Sequence, residues 1–200
     1  EETVNMAARL VTWQPTPPDE LTTEALLLSG HSLSELARYA EAEQAYRDAL
    51  ATMAEDDERR SGVRENLAAA VYRQAEQLAD AGNVEAAVSE FLRVGTAVPE
   101  SALRANAEYD AASLLITANL WEQAIGVLTS FRRSFPNHEL IDTVPAKLAL
   151  AYRETEQWER AADELQQMVS LAKTPEERRE NLLIAAELCD QAGNREKAID

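Results

Sequence analysis

Residues 120–136 read LWEQAIGVLTSFRRSFP. Within them Trp121, Ala124, Leu128 and Phe131 stand three, four and three residues apart, so all four fall on one face of a helix. Asn119 marks a break just upstream, and Pro136 stops the helix. Taken alone, the stretch is one amphipathic helix of ordinary length. It decides the fold because the chain writes it repeatedly.

Tyr39, Ala42, Tyr46 and Ala49 carry the same spacing, as do Val84, Ala87, Phe91 and Val94, and again Trp158, Ala161, Leu165 and Met168. Arg195 and Ala198 begin a further copy. Before each copy runs another helix with its own mark, a small residue nine positions ahead of the turn residue: Gly30, Ala75, Ala112, Ala149 and Ala186. Three residues beyond these stand Leu33, Leu78, Leu115, Tyr152 and Cys189. Two antiparallel helices joined by a tight turn approach closely only where one presents Gly or Ala to the other. The Trp, Tyr or Phe nearby fills the space that such small neighbours leave. One hairpin cannot bury both of its faces, so each unit has to stack on the next.

The remaining chain agrees. Helices are expected over residues 3–13, 19 to about 37 with Asp19 as cap, 41 to about 54, 58–81, 84–97, 101–118 capped by Ser101, 139–155, 158–172 and 175–191. The run 15–18 breaks the chain with prolines, Gly82-Asn83 and Gly193-Asn194 signal helix C-caps, and Pro145 implies either a first-turn position or a later start for its helix. The acidic EDDE at 55–58 reads as a loop feeding a helix N-terminus. No segment sustains period-2 alternation, so the chain reads as all-α.

Composition points the same way, with 46% apolar residues, only 6 Gly, and charges dominated by Glu and Arg. Acids outnumber bases 36 to 19, a formal charge of −17. Binding to phosphates or to an anionic membrane surface needs clustered Lys and Arg, so both are poor partners for this chain. No apolar run approaches the roughly 20 residues that span a bilayer. The single Cys189 lies in an apolar helical run and reads as a small buried thiol.

The residues now carry a family resemblance. Leu26, Ser29, Gly30 and Leu33 followed by Ala42 and Tyr46, then Ala87, Phe91 and Pro99, then Trp121 through Pro136, are similar to the tetratricopeptide (TPR) pattern. The resemblance covers about residues 23–200 and implies an all-α, right-handed α-solenoid of stacked antiparallel helix pairs. Repeats fall at about 23–56, 68–101, 105–138 and 142–175, with the end of a preceding repeat at 1–15 and a truncated one at 179–200, all in one solenoid. The spacing from Tyr39 to Val84 is 45 and thereafter 37, against about 34 in the family. Units of 37 resemble the longer TPR units of bacterial envelope proteins, and the larger insertion is expected to lengthen the helix at 58–81. The chain starts without Met, and both ends read as cut from a longer array, with no polar capping helix.

Catalysis is not expected. His31 and Glu35 have the spacing of a metal pair, but no second His or Cys stands at ligand distance, and His138 lies in a loop. The NHEL at 137–140 lacks the second His of a zinc-protease helix. There is no Gly-rich phosphate loop, nucleophile elbow or paired Cys, so neither cofactor nor metal is expected.

Binding is the better prospect. The resemblance places the residues beside each small Gly or Ala on a concave face of first helices. The Lys and Asn with which some TPR proteins grip a C-terminal carboxylate are replaced here by Leu27 with His31, Tyr72 with Glu76, and Tyr109 with Ser113. The candidate partner-binding residues are Tyr72, Glu76, Asp80, Tyr109, Leu150, Arg153, Leu183 and Glu187. Tyrosines would anchor, and acids would steer, a basic or amphipathic protein segment. For the two tyrosines, packing against a neighbouring helix is an equal alternative, and for the acids a solvated face is the bland one. The expected function is a non-catalytic protein-interaction scaffold. A docking or regulatory segment of a larger enzyme or sensor, and an array that self-associates through its ends, remain open. Arg outnumbers Lys 16 to 3, which fits a bacterial source, and the resemblance alone favours the periplasm or cell envelope.

Overall fold

The computed structural model describes residues 1–14 and 18–193. Among them run ten α-helices and no strand: α1 (Glu2–Val11), α2 (Asp19–Glu35), α3 (Tyr39–Thr52), α4 (Arg60–Asp80), α5 (Val84–Ala97), α6 (Arg104–Thr117), α7 (Trp121–Ser134), α8 (Val144–Glu154), α9 (Trp158–Leu171) and α10 (Pro175–Gln191). The fold is all-α, built of stacked antiparallel helix pairs, as the repeat requires. Pro15 and the copy beginning at Arg195 and Ala198 lie outside the described residues.

The chain divides into two compact units, Glu1–Ala107 and Glu108–Asp200, the division falling inside α6. In the first unit α2 pairs with α3 and α4 with α5, while α1 packs on α2 and α3 on α4. In the second, α8 pairs with α9, α7 packs on α8, and α9 packs on α10.

The small residues sit where the helices touch. Ala42, Ala87, Ala124 and Ala161 are each 0% exposed, and Tyr46, Phe91, Leu128 and Leu165 beside them are buried. Across the pair, Gly30, Ala75, Ala112 and Ala149 are buried, as is Cys189 further on. The turn aromatics Trp121 and Trp158 are only half-buried, whereas Phe131 is completely enclosed. Gly30 shows why the size matters: a Cβ placed on it would lie 2.7 Å from Tyr46 Cε1.

The described helix pairs reverse through one device, and α10 ends in the same conformation. Ala37, Gly82, Asn119, Glu156 and Gly193 all have φ between 56° and 76°. The following N–H donates back across the helix end, Arg38 to Leu33 O, Asn83 to Leu78 O, Leu120 to Leu115 O and Gln157 to Tyr152 O, at 2.8–2.9 Å. This is the Schellman C-cap, which favours Gly at the left-handed position. Ala37 and Glu156 therefore hold a left-handed backbone that costs an L residue roughly 1–2 kcal/mol.

Several boundaries differ from expectation. Pro18, not Asp19, is the N-cap of α2, and Asp19 lies in its first turn without a capping bond. Ser101 does not cap α6 directly: its hydroxyl donates to Glu65 Oε2 at 2.9 Å and accepts from the Leu103 N–H at 3.1 Å, and the helix begins only at Arg104. Residues 139–143 are not α-helical. A 3₁₀ turn, Ile141–Thr143, leads into α8, which starts later, beside Pro145, where a missing N–H is tolerated. The larger insertion does lengthen its helix, since α4 has 21 residues against 11 in α8.

Two buried carboxylates have opposite surroundings. Glu43 of α3 receives both Nη atoms of Arg93 on α5, at 2.6 and 2.7 Å, and a further bond from Arg47. Burial raises its pKa, but the two guanidinium groups outweigh burial and hold it below the usual carboxylate value. Glu164 of α9 has a single bond, from Arg132 Nη2 at 2.7 Å, and its Oε2 lacks a partner. Here burial prevails over Arg132 and the pKa is raised.

Ala37→Gly and Glu156→Gly should each stabilise the chain by about 0.5–1 kcal/mol, the relief of strain exceeding the entropy that Gly adds to the unfolded chain, while Gly82→Ala should destabilise it by about 1 kcal/mol in denaturant titrations. Gly30→Ala should cost about 1 kcal/mol despite the better helix propensity of Ala, because the Tyr46 ring is enclosed and must move. Replacing that ring by Leu, the residue found at 128 and 165, should restore part of the loss.

The carboxylates should respond to acid with opposite signs. The stability that Glu43 contributes is present above its unfolded pKa and lost as pH falls through the depressed folded one. Glu43→Gln should then cost about 2 kcal/mol at pH 7, below the value for a fully enclosed pair because Arg93 is partly solvated. Glu164 instead imposes a penalty at neutral pH that fades as pH falls through its raised folded pKa. Glu164→Gln should be neutral or stabilising by up to about 1 kcal/mol at pH 7, with the gain gone below the unfolded value. Urea unfolding of both variants from pH 7 to pH 4 checks the pair.

Candidate functional site

The outward positions of the first helices belong to the two units separately. In the first unit, α4 carries Tyr72, Glu76 and Asp80. Tyr72 is half-buried and stands edge-on to Phe91 with ring centroids 5.3 Å apart, so its ring is a packing contact with the partner helix. Glu76 and Asp80 line a shallow concavity that also takes in Tyr39, Arg73 and Phe91. Arg73 Nη1 donates to Glu76 at 2.7 Å, so a base neutralises part of the expected acidic rim. Tyr39 and Arg73 also border the neighbouring hollow with Ser34, Glu35 and Asn66. Periodicity gives Tyr39 a packing role and does not single out Arg73. The i, i+3 spacing of Arg73 and Glu76 was the available signal.

In the second unit, Tyr109 is more fully engaged than its register suggests. Its ring lies 5.6 Å from that of Phe131, and Lys147 Nζ sits 5.0 Å above it. Thr143 Oγ1 donates to Leu140 O at 2.7 Å, so the Tyr109 hydroxyl, 2.7 Å from that same Oγ1, is the donor of their bond. Lys147 adds a base to the face of this unit. One turn onward on α8, Leu150 is 39% exposed and Arg153 is open to solvent. On α10, Leu183 is 56% exposed and Glu187 is open.

The structure thus joins Glu76 with Asp80 in one concavity, and groups Leu150 with Arg153 and Leu183 with Glu187 on helix faces by spacing. Tyr72 and Tyr109 are half-buried packing residues.

Neither His stands in a ligand cluster. His31 Nε2 is 3.3 Å from Asn66 Nδ2 and its ring packs against Tyr46. His138 Nδ1 accepts from the Leu140 N–H at 3.3 Å, with its ring against Phe131 and Phe135. Among the described residues no three His, Cys, Asp or Glu side chains are placed to hold a metal, and no helix is long and apolar enough to cross a membrane.

No protein-family model matches the chain, and no curated protein matches it in sequence. Among solved structures the chain is similar to BtubC (BKLC) from P. vanneervenii, at 16% identity over 99% of this chain and 83% of that one, with a TM-score of 0.51. It is similar also to MamA from residue 41 to the end from Desulfovibrio magneticus RS-1, at 18% identity over 85% and 89% of the two chains, with a TM-score of 0.51. The likeness to MamA of AMB-1 is of the same order, 14% identity over 90% and 87%, TM-score 0.51. These neighbours are TPR-like repeat proteins. At such identities the likeness concerns the fold, and the fold of this chain is TPR-like.

Proposed function

We propose that the chain is a non-catalytic protein-interaction scaffold whose first-helix faces receive peptide or helical segments of other proteins. One contrast carries this reading. The second-helix positions that repeat are buried, with Ala42, Ala87, Ala124 and Ala161 at 0% exposure. The outward first-helix positions do not repeat and are open or half-open: Tyr72, Glu76 and Asp80 on α4, Leu150 and Arg153 on α8, Leu183 and Glu187 on α10. Residues that repeat serve a stack that every unit shares. Residues that vary between units on an exposed face can select.

The partner chemistry follows from charge. With 36 acids to 19 bases, the field around the molecule attracts cationic segments and repels nucleic acid. Exposed Leu150 and Leu183 supply apolar contacts, and the half-buried Tyr72 and Tyr109 supply aromatic ones. Arg73 on α4 and Lys147 and Arg153 on α8 add basic points, so the preferred segment is amphipathic, with a few acids among its bases.

A photo-reactive amino acid placed at Asp80, Leu150 or Leu183 in the native cells should cross-link partner proteins that the same probe at Gln44 or Gln166, exposed on second helices, does not reach. Partners captured only from Gln44 and Gln166 would reverse the assignment. A Tyr72→Ala/Tyr109→Ala variant that stays folded yet captures every wild-type partner would remove the two tyrosines from it.

A further inference from the structure

In the first unit α2 and its turn are joined to α4 at three points. Arg59 Nη1 donates to Glu24, His31 Nε2 stands 3.3 Å from Asn66 Nδ2, and Gln77 Nε2 donates to Ala37 O at 2.9 Å. Between the second and third joints α4 presents the small residues Ala69 and Ala70, and α2 presents Ser34. Small side chains held between two fixed joints cannot close the gap, and a hollow of about 340 Å³ remains.

The lining is polar for a reason that lies in the repeat. Gly30 leaves room for the ring of Tyr46, which is 2% exposed and borders the hollow. Its hydroxyl stands 3.5 Å from Ser34 Oγ. Ser34 Oγ donates its own proton to Gly30 O at 2.9 Å, so Tyr46 is the donor of that long bond, and its oxygen keeps both lone pairs. The residues in register with Tyr46 are Phe91, Leu128 and Leu165, none of which carries a polar group. This pair of helices alone among the four sets a hydroxyl at that position.

Opposite charges border the hollow from its two helices. Glu35 of α2 is open to solvent and makes no ion pair among the described residues. Arg73 of α4 engages Glu76 through Nη1 alone, in an exposed pair, which leaves Nε and Nη2 as donors. Asn66, half-buried, adds an amide. A carboxylate placed here meets Glu35, and an ammonium or guanidinium meets Arg73. A carboxamide meets neither conflict, since its NH₂ donates to a carboxylate while its C=O accepts from a guanidinium or an amide. A hydrocarbon side chain would strip water from these groups and return no bond.

We infer that the hollow between α2 and α4 is a recognition pocket for a side-chain carboxamide, a Gln or Asn of a bound protein segment, with its NH₂ on Glu35 and its C=O on Arg73 and Asn66. The inference rests on the scaffold reading and sharpens it. The acidic field draws in a segment that carries bases, and the pocket selects the residue that stands between them.

The probes are short capped peptides, alike except for one central Gln, Glu, Lys or Leu between flanking lysines, titrated onto the full chain while backbone amide shifts are followed by NMR. Ala69→Leu, which fills the hollow at a half-buried position, supplies the ranking that net charge alone produces. Against that background the Gln peptide should move the signals of Asn66 and Ala69 and bind the wild-type chain about fivefold tighter than the other three. Glu35→Gln should then relax the discrimination against Glu, and Arg73→Gln that against Lys, each by about threefold or more. Both of these side chains are exposed, so the two variants decide the matter even where Ala69→Leu does not fold. An unchanged ranking in Glu35→Gln and Arg73→Gln overturns the carboxamide assignment, and shifts confined to α8 and α10 overturn the pocket while the scaffold reading stands. A wild-type preference for Gln with no partner cross-linked in cells from Asp80, Leu150 or Leu183 upholds the pocket and sinks the scaffold reading.

Discussion

The structure depends on how closely two helices can approach at four alanines. Ala42, Ala87, Ala124 and Ala161 have no exposed surface at all. A larger residue there would push the paired helices apart, and every neighbouring contact with them, since packed interiors tolerate added volume poorly. Opposite them the chain trades size against size. Gly30 accommodates the ring of Tyr46, whereas the corresponding pairs 16 residues apart are Ala75 with Phe91, Ala112 with Leu128 and Ala149 with Leu165. The smallest residue faces the tyrosine, and the two later alanines face leucines. The four pairs use three divisions of volume: Gly with Tyr, Ala with Phe, and Ala with Leu.

That constraint is also why the fold was legible. Spacing of Trp121, Ala124, Leu128 and Phe131 specifies a helix face, and its recurrence specifies the hairpin and the stack. The turn was half legible. Gly82 and Asn119 announce left-handed positions by residue type, but Ala37 and Glu156 do not. The repeat nevertheless locates them, because Ala37 lies 45 residues before Gly82 and Glu156 lies 37 after Asn119. Register is a stronger guide here than local propensity, since tertiary stacking enforces a turn that the residue itself disfavours. One further signal is purely local. Thr174 and Glu177 form a reciprocal capping box at the start of α10, and the T-x-x-E spacing announces it.

The candidate site was less legible, for a physical reason. Register assigns a side chain to a face but not to its neighbours on other repeats. Tyr109 was placed correctly on a first helix, yet Lys147, which covers its ring, and Thr143, which accepts its hydroxyl, come from 38 and 34 residues further along. Glu43 and Glu164 are likewise ordinary helical glutamates in sequence. Only the stacking shows that Glu43 meets Arg93, 50 residues away, while Glu164 keeps one oxygen without a partner. Long-range pairing of charges, unlike apolar periodicity, has no period to read.

The division of labour between repeated and unrepeated residues has the same physical root. Ala42, Ala87, Ala124 and Ala161 recur because every pair meets the same steric limit where its helices cross, and all four are fully enclosed. The outward residues of α4, α8 and α10 meet no such limit, so they differ from helix to helix: Glu76 and Asp80 on α4, Leu150 and Arg153 on α8, Leu183 and Glu187 on α10. A stack of this kind can vary its open faces without disturbing the contacts that hold one helix to the next.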